Sequence, residues 1–311
     1  MSPGTVARGT VHAAGGGVYQ VRLDGGEVVE ASLRGRLKQE RRTGDQVVIG
    51  DRVEVTPEGE AWVVHGVSER KSELVRRALG GRRAKVMAAN VDAVLAVVAV
   101  REPEPSPALV DRLLVVCEAS GVHPVLVINK VDLEGGPDVV RTFAELYRPV
   151  GYRVIATSTS TGEGLADLAS EVCRGVSALI GPSGAGKSSL LNALHPALGL
   201  RTGTLSAKTG RGRHTTVGSR LIPLECGGLV ADTPGFGDVG LWGVAAEDVA
   251  HCFPELAPLE GRCRFRGCAH LREPDCAVRH AVETGDVAQS RYRSYVTLRE
   301  EATLARQQRE G

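Results

Sequence analysis

Aromatic side chains are scarce, at 4% of the 311 residues, so the core has to be built from Val, Leu, Ala and Ile, and the 39 glycines point to many tight loops. Long apolar runs are missing as well. Nothing approaches the roughly 18 residues of a membrane span, and the opening MSPGTVARGT lacks the apolar stretch of a secretion signal. No membrane partner and a cytoplasmic location are therefore expected. Net charge is only +1, which excludes a uniformly basic coat but not basic clusters that meet an anionic partner at particular loops. Seven cysteines without a secretory signal argue against a disulfide framework.

The length suits two or three modest domains. Period-two alternation over 5–12, 17–23, 27–33, 51–56 and 61–67, separated by Gly turns, predicts a five-stranded OB-type barrel, a fold that often binds nucleic acid. Between two of these strands Arg34, Arg36, Lys38, Arg41 and Arg42 crowd one loop, where an RNA phosphate backbone could be gripped. The stretch 70–85 reads as a basic connector. After it the texture turns to α/β: a near-continuous apolar run at 91–100, a helix from 107 to 119, a strand at 124–129, a helix around 139–147, a strand at 152–157 and another at 177–180. That alternation implies a doubly wound sheet. From about residue 246 the strands stop, and an amphipathic helix is predicted over 290–308.

The segment G181-P-S-G-A-G-K-S188 matches the phosphate-binding loop and stands between an apolar strand and a helix, as that motif requires. Gly181, Pro182, Ser183, Gly184, Ala185 and Gly186 let backbone amides converge on phosphate oxygens, with Ser189 in the helix that follows. Lys187 is placed to reach the β and γ phosphates, and Ser188 to ligate Mg²⁺. Downstream, L229-V-A-D-T-P-G235 ends a strand in Asp-x-x-Gly, so Asp232 is a further Mg²⁺ residue and the Gly235 amide faces the γ-phosphate. Between them, Thr215 or Thr216 is the candidate second Mg²⁺ ligand of a switch loop.

Upstream of all this lies N129-K-V-D132, a guanine reader. Asp132 can accept from both guanine N1–H and the exocyclic amine, a donor pair that adenine lacks, while Asn129 braces the loop, Lys130 lies along the base and Val131 links them. Its companion is the loop beginning Thr157, Ser158, with a backbone amide for guanine O6. Guanine reader first and phosphate loop second is a circular permutation of the usual order. It attaches whatever follows Asp232 directly to the switch.

With R70-K-S, N90-V-D-A-V, D111-R-L-L, N129-K-V-D, the phosphate loop, G212-R-H-T-T216 and D232-T-P-G-F236 in this order, the sequence resembles the ribosome small-subunit-dependent GTPase A family. The resemblance implies a multidomain chain: an OB-type RNA-binding barrel at 1–72, a circularly permuted α/β P-loop GTPase domain at 73–245, and a zinc-binding, mainly helical domain at 246–311. It also implies GTP hydrolysis to GDP, stimulated by the small ribosomal subunit during late maturation, with the barrel and zinc domain on ribosomal RNA. The residues Cys263, Cys268, His270 and Cys276 give C-x4-C-x-H-x5-C, a closed tetrahedral set for one structural Zn²⁺. Cys117, Cys173, Cys226 and Cys252 fall outside that spacing and read as buried or incidental. Phe236 stands where Ras-type enzymes carry a water-orienting Gln, so His214 is the hypothetical residue for that task. Gly184 stands where potassium-dependent relatives carry Asn, so no potassium ion is implied, and no oligomerisation helix is evident, so a monomer is expected. The competing readings are a translation or stress GTPase on assembled ribosomes, and an RNA-binding scaffold that uses GTP as a conformational lock.

The base contact is testable. Asp132→Asn is expected to shift binding preference from guanine towards xanthine nucleotides in a competition assay, and an unchanged preference would contradict the assignment.

Overall fold

The N-terminal alternation folds into five strands, β1 (Ala7–Gly15), β2 (Val18–Leu23), β3 (Val28–Leu33), β4 (Arg52–Glu58) and β5 (Ala61–Val67). Antiparallel pairs β1–β2, β2–β3, β4–β5 and β1–β4, with β3–β5 parallel, close them into a ring, so no strand edge is left over. Inward-pointing Val11, Val21, Val29, Val53, Val55 and Val64 fill the interior with Tyr19. Small β-branched groups suffice because the barrel is narrow. The molecule is described here by a computed structural model that covers residues 6–34, 47–59, 61–77, 84–196, 199, 219–232 and 244–310. It divides into two compact units, Met1–Ala93 with Ser170–Ala178 and Gly203–Phe236, and Val94–Ala169 with Leu179–Thr202 and Gly237–Gly311.

The expected connector at 70–85 is instead part of a hairpin, β6 (Glu73–Arg77) and β7 (Ala84–Ala89), paired antiparallel. Leu74, Met87, Ala88 and Ala89 are buried on it, and the density of Arg and Gly in the sequence between the two strands hid this period-two pattern. Asp51 and Asn90 tie the barrel to the chain flanking the hairpin, and Ser72 ties the two flanks to each other. The fully buried Asp51 carboxylate accepts from Arg70 Nε at 2.7 Å, Arg70 Nη2 at 2.9 Å and the Val48 amide at 2.7 Å. Asn90 accepts from the Lys71 amide and donates to the Gly50 carbonyl, both at 2.9 Å, and Ser72 Oγ donates to the Val91 carbonyl at 2.8 Å.

Along the rest of the chain come β8 (Ala93–Ala99), α1 (Pro107–Glu118), β9 (Pro124–Asn129), α2 (Gly136–Tyr147), β10 (Val154–Thr157), α3 (Leu165–Val172), β11 (Val176–Ile180), α4 (Lys187–Leu194), β12 (Ser219–Pro223), β13 (Leu229–Asp232), α5 (Ala277–Thr284) and α6 (Gln289–Glu310). In the second unit β8, β9 and β10 run parallel side by side, and β9 is buried at every position, as a strand covered on both faces must be. Ser106 caps α1 by accepting from the Leu109 amide at 3.3 Å, with Pro107 opening the helix. In the first unit β11 and β13 are parallel, while β12 runs antiparallel to β13 and to β1. The expectation of no disulfide is corrected there: Cys173 and Cys226 are bonded, whereas Cys117 and Cys252 are buried and free. Sequence separation of 53 residues conceals the pair, because only the fold brings the end of α3 to the β12–β13 turn.

The C-terminal segment packs Phe253, Leu256, Val278, Tyr295 and Leu298 into a core of its own. At its margin Arg291 of α6 is 1% exposed. Its Nη1 donates to Asp111 Oδ1 of α1 at 2.6 Å, and Nε and Nη2 donate to Glu255 at 2.6 and 2.9 Å. The guanidinium lies over the Phe253 ring at 4.6 Å, and Tyr147 of α2 also donates to Asp111 Oδ1, at 2.6 Å. Burial works against the Arg291 charge, but the bonds to Glu255 and the charge of Asp111 hold its pKa above the usual range. Nearer the surface Arg112 meets Glu301 at 2.5 and 2.6 Å.

Removing one member of a buried charge cluster strands the others, so Arg291→Ala should cost about 3–5 kcal/mol. Arg112→Ala breaks a part-exposed pair and should cost about 1 kcal/mol or less. Urea denaturation of the two variants checks the difference, and equal costs would contradict it.

Candidate functional site

The sequence-predicted guanine loops sit at the C-terminal ends of β9 and β10, where parallel sheets bind ligands. Asn129 closes β9 and is buried. Its Nδ2 donates to the Ala185 carbonyl in the phosphate loop at 2.9 Å, and its Oδ1 accepts from Thr157 Oγ1 at the end of β10 at 3.1 Å. One amide thus joins three segments. Lys130 follows with a left-handed backbone, φ +61°, and its Nζ lies 3.5 Å from the Arg101 and Glu102 carbonyls. The Val131 amide donates to the Thr157 carbonyl at 3.2 Å.

Asp132 is exposed at the tip, yet its carboxylate is oriented: Ser158 Oγ donates to Oδ1 at 2.6 Å. The hydroxyls of Ser158 and then Ser160 hold this carboxyl below its ordinary pKa, which keeps it an acceptor at neutral pH. Ser158 Oγ and Ser160 Oγ are 2.9 Å apart, and the Thr161 amide donates to Ser158 Oγ at 3.2 Å. Ser160 escaped the sequence reading because nothing in a run of alternating Ser and Thr marks which exposed hydroxyl turns towards Ser158.

In the phosphate loop Gly184 and Gly186 have φ of +85° and +91°. At Gly186 a side chain is excluded twice over, since a Cβ would come within 2.2 Å of Asn129 Nδ2. Lys187 opens α4, and its Nζ donates to the Gly181 and Pro182 carbonyls at 2.7 and 2.9 Å. Burial lowers its pKa. Ser183, Ser188 and Ser189 lie in or beside this turn, the last two on the first turn of α4. Asp232 ends β13 in the other unit, where Arg220 Nε meets it at 3.2 Å. His214, Thr215, Thr216 and Gly235 lie outside the described residues, as do Arg36, Lys38, Arg41 and Arg42. Arg34 is exposed on the barrel, with Nη1 2.8 Å from His65 Nδ1, and His65 Nε2 is hydrogen-bonded to Thr56 Oγ1.

The four predicted metal ligands converge. One donor atom each from Cys263, Cys268, His270 and Cys276 lies within 4.8 Å of the others, and no further ligand crowds the group among the described residues. His270 Nδ1 is 3.4 Å from Cys263 Sγ and 3.3 Å from Cys276 Sγ. Burial lowers the His270 pKa and so favours the neutral imidazole that coordinates metal. The donor set fits a tetrahedral structural ion. Its loop is shaped by groups the sequence did not advertise. Although burial raises the Glu273 pKa, the carboxylate accepts from the amides of Ala269, Leu271 and Arg272 at 2.8, 3.0 and 3.0 Å and is brought down to about 2. Tyr292 and Tyr295 of α6 donate to the His270 and Ala269 carbonyls, both at 2.7 Å.

The model of one protein family, RsgA GTPase, matches residues 67–242. The chain belongs to the RsgA GTPase family. Curated relatives named "Small ribosomal subunit biogenesis GTPase RsgA" include one from Gemmatimonas aurantiaca, 49% identical with 96% of each chain covered, and one from Moorella thermoacetica, 43% identical with 93% of this chain and 95% of the relative covered. Among solved structures, YjeQ from Thermotoga maritima is similar with a TM-score of 0.78 at 34% identity, covering 96% of this chain and 99% of that one. YloQ, described as a circularly permuted GTPase, is similar with a TM-score of 0.74 at 33% identity and 96% coverage of both. The RsgA GTPase fold accounts for the barrel, the permuted order of loops and the Cys3His group together.

Gly186→Ala forces a Cβ against Asn129 in a backbone region that costs a non-glycine residue roughly 1–3 kcal/mol. Guanine nucleotide affinity should fall by at least about tenfold, read by titration with a fluorescent GDP analogue. Unaltered affinity would show that the two loops tolerate separation.

Proposed function

We propose that the chain binds GTP and hydrolyses it to GDP and phosphate on the small ribosomal subunit, late in that particle's maturation, and that the particle stimulates the reaction. The observation that supports this reading is the Asn129 amide, which joins the loop carrying the oriented Asp132 carboxylate to the glycine-rich loop at 181–188. Such a joint serves a guanine nucleotide and has no use in a protein that grips RNA alone. The names of the relatives supply the ribosomal particle.

Asp132 would take the base and the amide of Ser158 its O6, while the amides of 181–188 take the phosphates. Water then attacks the γ-phosphorus in line, and the bond to the β,γ-bridging oxygen breaks. Lys187 stabilises the charge that develops on the phosphoryl oxygens, and the Gly235 amide faces them. Mg²⁺ would neutralise the same oxygens when bound, and Ser188, Asp232 and one of Thr215 and Thr216 are the residues that would hold it. His214 orients the water once the ribosomal particle orders its loop, so unstimulated turnover is slow. A Zn²⁺ ion on Cys263, Cys268, His270 and Cys276 would be structural and shape the C-terminal segment. Arg34 and its loop neighbours Arg36, Lys38, Arg41 and Arg42 would meet ribosomal RNA through phosphates. The protein would act as a cytoplasmic monomer with domains at 1–72, 73–245 and 246–311.

Multiple-turnover phosphate release titrated with purified small subunits tests the proposal. Saturable stimulation is expected for the wild type, and loss of stimulation with GTP binding retained for His214→Ala. Equal turnover with and without subunits would overturn the reading, and full stimulation of His214→Ala would remove that residue from it.

A further inference from the structure

The Cys173–Cys226 bond occupies a particular place. Cys173 follows α3 directly and lies three residues before β11, whose chain runs on into the phosphate loop at Gly181. Cys226 sits in the turn between β12 and β13, and β13 ends on Asp232. The two strands pair parallel through Val176 with Leu229, Ser177 with Val230 and Ala178 with Ala231, so the bond closes the near end of a short ladder whose far end leads to the nucleotide motifs. Backbone packing at that end is tight. The Leu229 amide donates to the Gly175 carbonyl at 2.8 Å, and a Cβ on Gly228 would come within 2.2 Å of the Val172 carbonyl oxygen and 2.8 Å of Cys173 Cα.

Access to the two sulfurs differs. Cys226 is exposed and Cys173 half-buried, whereas Cys117 and Cys252 are buried and the remaining three cysteines belong to the metal group. An exposed sulfur exchanges with small thiols and disulfides, so the surrounding thiol pool decides whether this bond is made. We infer that Cys173 and Cys226 form a reversible redox staple that fixes β13 against β11 and thereby tunes nucleotide affinity. The inference rests on the proposed GTP-binding function only for its second half.

The exchange balances with a small-molecule disulfide such as oxidised glutathione. The Cys226 thiolate attacks one of its sulfurs, forming a mixed disulfide and releasing one thiolate. Cys173 then attacks the Cys226 sulfur and expels the second. Two protein thiols lose two protons and two electrons, and the oxidant becomes two thiols. Reduction reverses both steps. A bond that spans 53 residues removes much disorder from the unfolded chain, so the oxidised form should be the more stable.

The test uses the full chain, poised with reduced or oxidised glutathione, with zinc content measured in each state so that loss of the metal is not mistaken for the effect. Peptide mapping should find a 173–226 cross-link only in the oxidised wild type. Its Tm should fall by roughly 5–15 °C on reduction, and affinity for a fluorescent GDP analogue should weaken by about fivefold. Cys226→Ser, and separately Cys173→Ser, should respond to neither condition. Absence of the cross-link, or equal Tm in both states of the wild type, would overturn the staple. Equal affinity despite a shifted Tm would overturn its link to nucleotide. Failure of the oxidised wild type to bind guanine nucleotide at all would sink the GTP reading instead, while the redox shift in Tm would still uphold the staple.

Discussion

The buried side-chain amide of Asn129 is the contact on which the proposed nucleotide site depends. A circularly permuted chain presents its guanine reader more than fifty residues before its phosphate loop, and covalent order gives the two no reason to meet. The Asn129 amide supplies the reason: Nδ2 holds Ala185 and Oδ1 holds Thr157, so the two loops proposed to read guanine and the loop proposed to take the phosphates share one buried hydrogen-bonding group. Burying an amide is tolerable only when its polar atoms are satisfied, so the arrangement specifies its own geometry. Gly186 is the complement of that amide, since only a residue without Cβ can lie beside it.

A second constraint operates away from the nucleotide loops. Arg291 carries a charge into an almost water-free position and is balanced by Asp111 and Glu255, so α6 and α1 cannot separate without exposing unpaired charge. The metal loop leans on the same helix, through Tyr292 and Tyr295. The α6 helix therefore holds both the Cys3His loop, through Tyr292 and Tyr295, and α1, through Arg291.

Much of this was legible in the sequence, for identifiable reasons. Strand alternation exposed the barrel because its strands are buried on one face only, and the apolar run at 91–100 exposed β8 because it is buried on both. The loops expected to take phosphate, guanine and metal could be picked out because such chemistry fixes residue types at fixed spacings, and the structure brings the residues of each group together. Features that depend on distant parts of the chain meeting were not. Arg291 looks like any arginine on an amphipathic helix until Asp111 and Glu255 surround it, and Cys173 and Cys226 carry no spacing signal. The β6–β7 hairpin failed for a local reason, because its arginines suggested a solvated connector. Glu273 was passed over as spacer, although its carboxylate gathers three amides of the metal loop.

The claim that one amide unites the permuted loops can be measured without any nucleotide. Hydrogen–deuterium exchange across 181–188 should speed up in Asn129→Ala, because the tether to Ala185 is gone, and should stay at the wild-type rate in Asp132→Ala, which leaves that tether intact. Wild-type protection of 181–188 in Asn129→Ala would contradict the account.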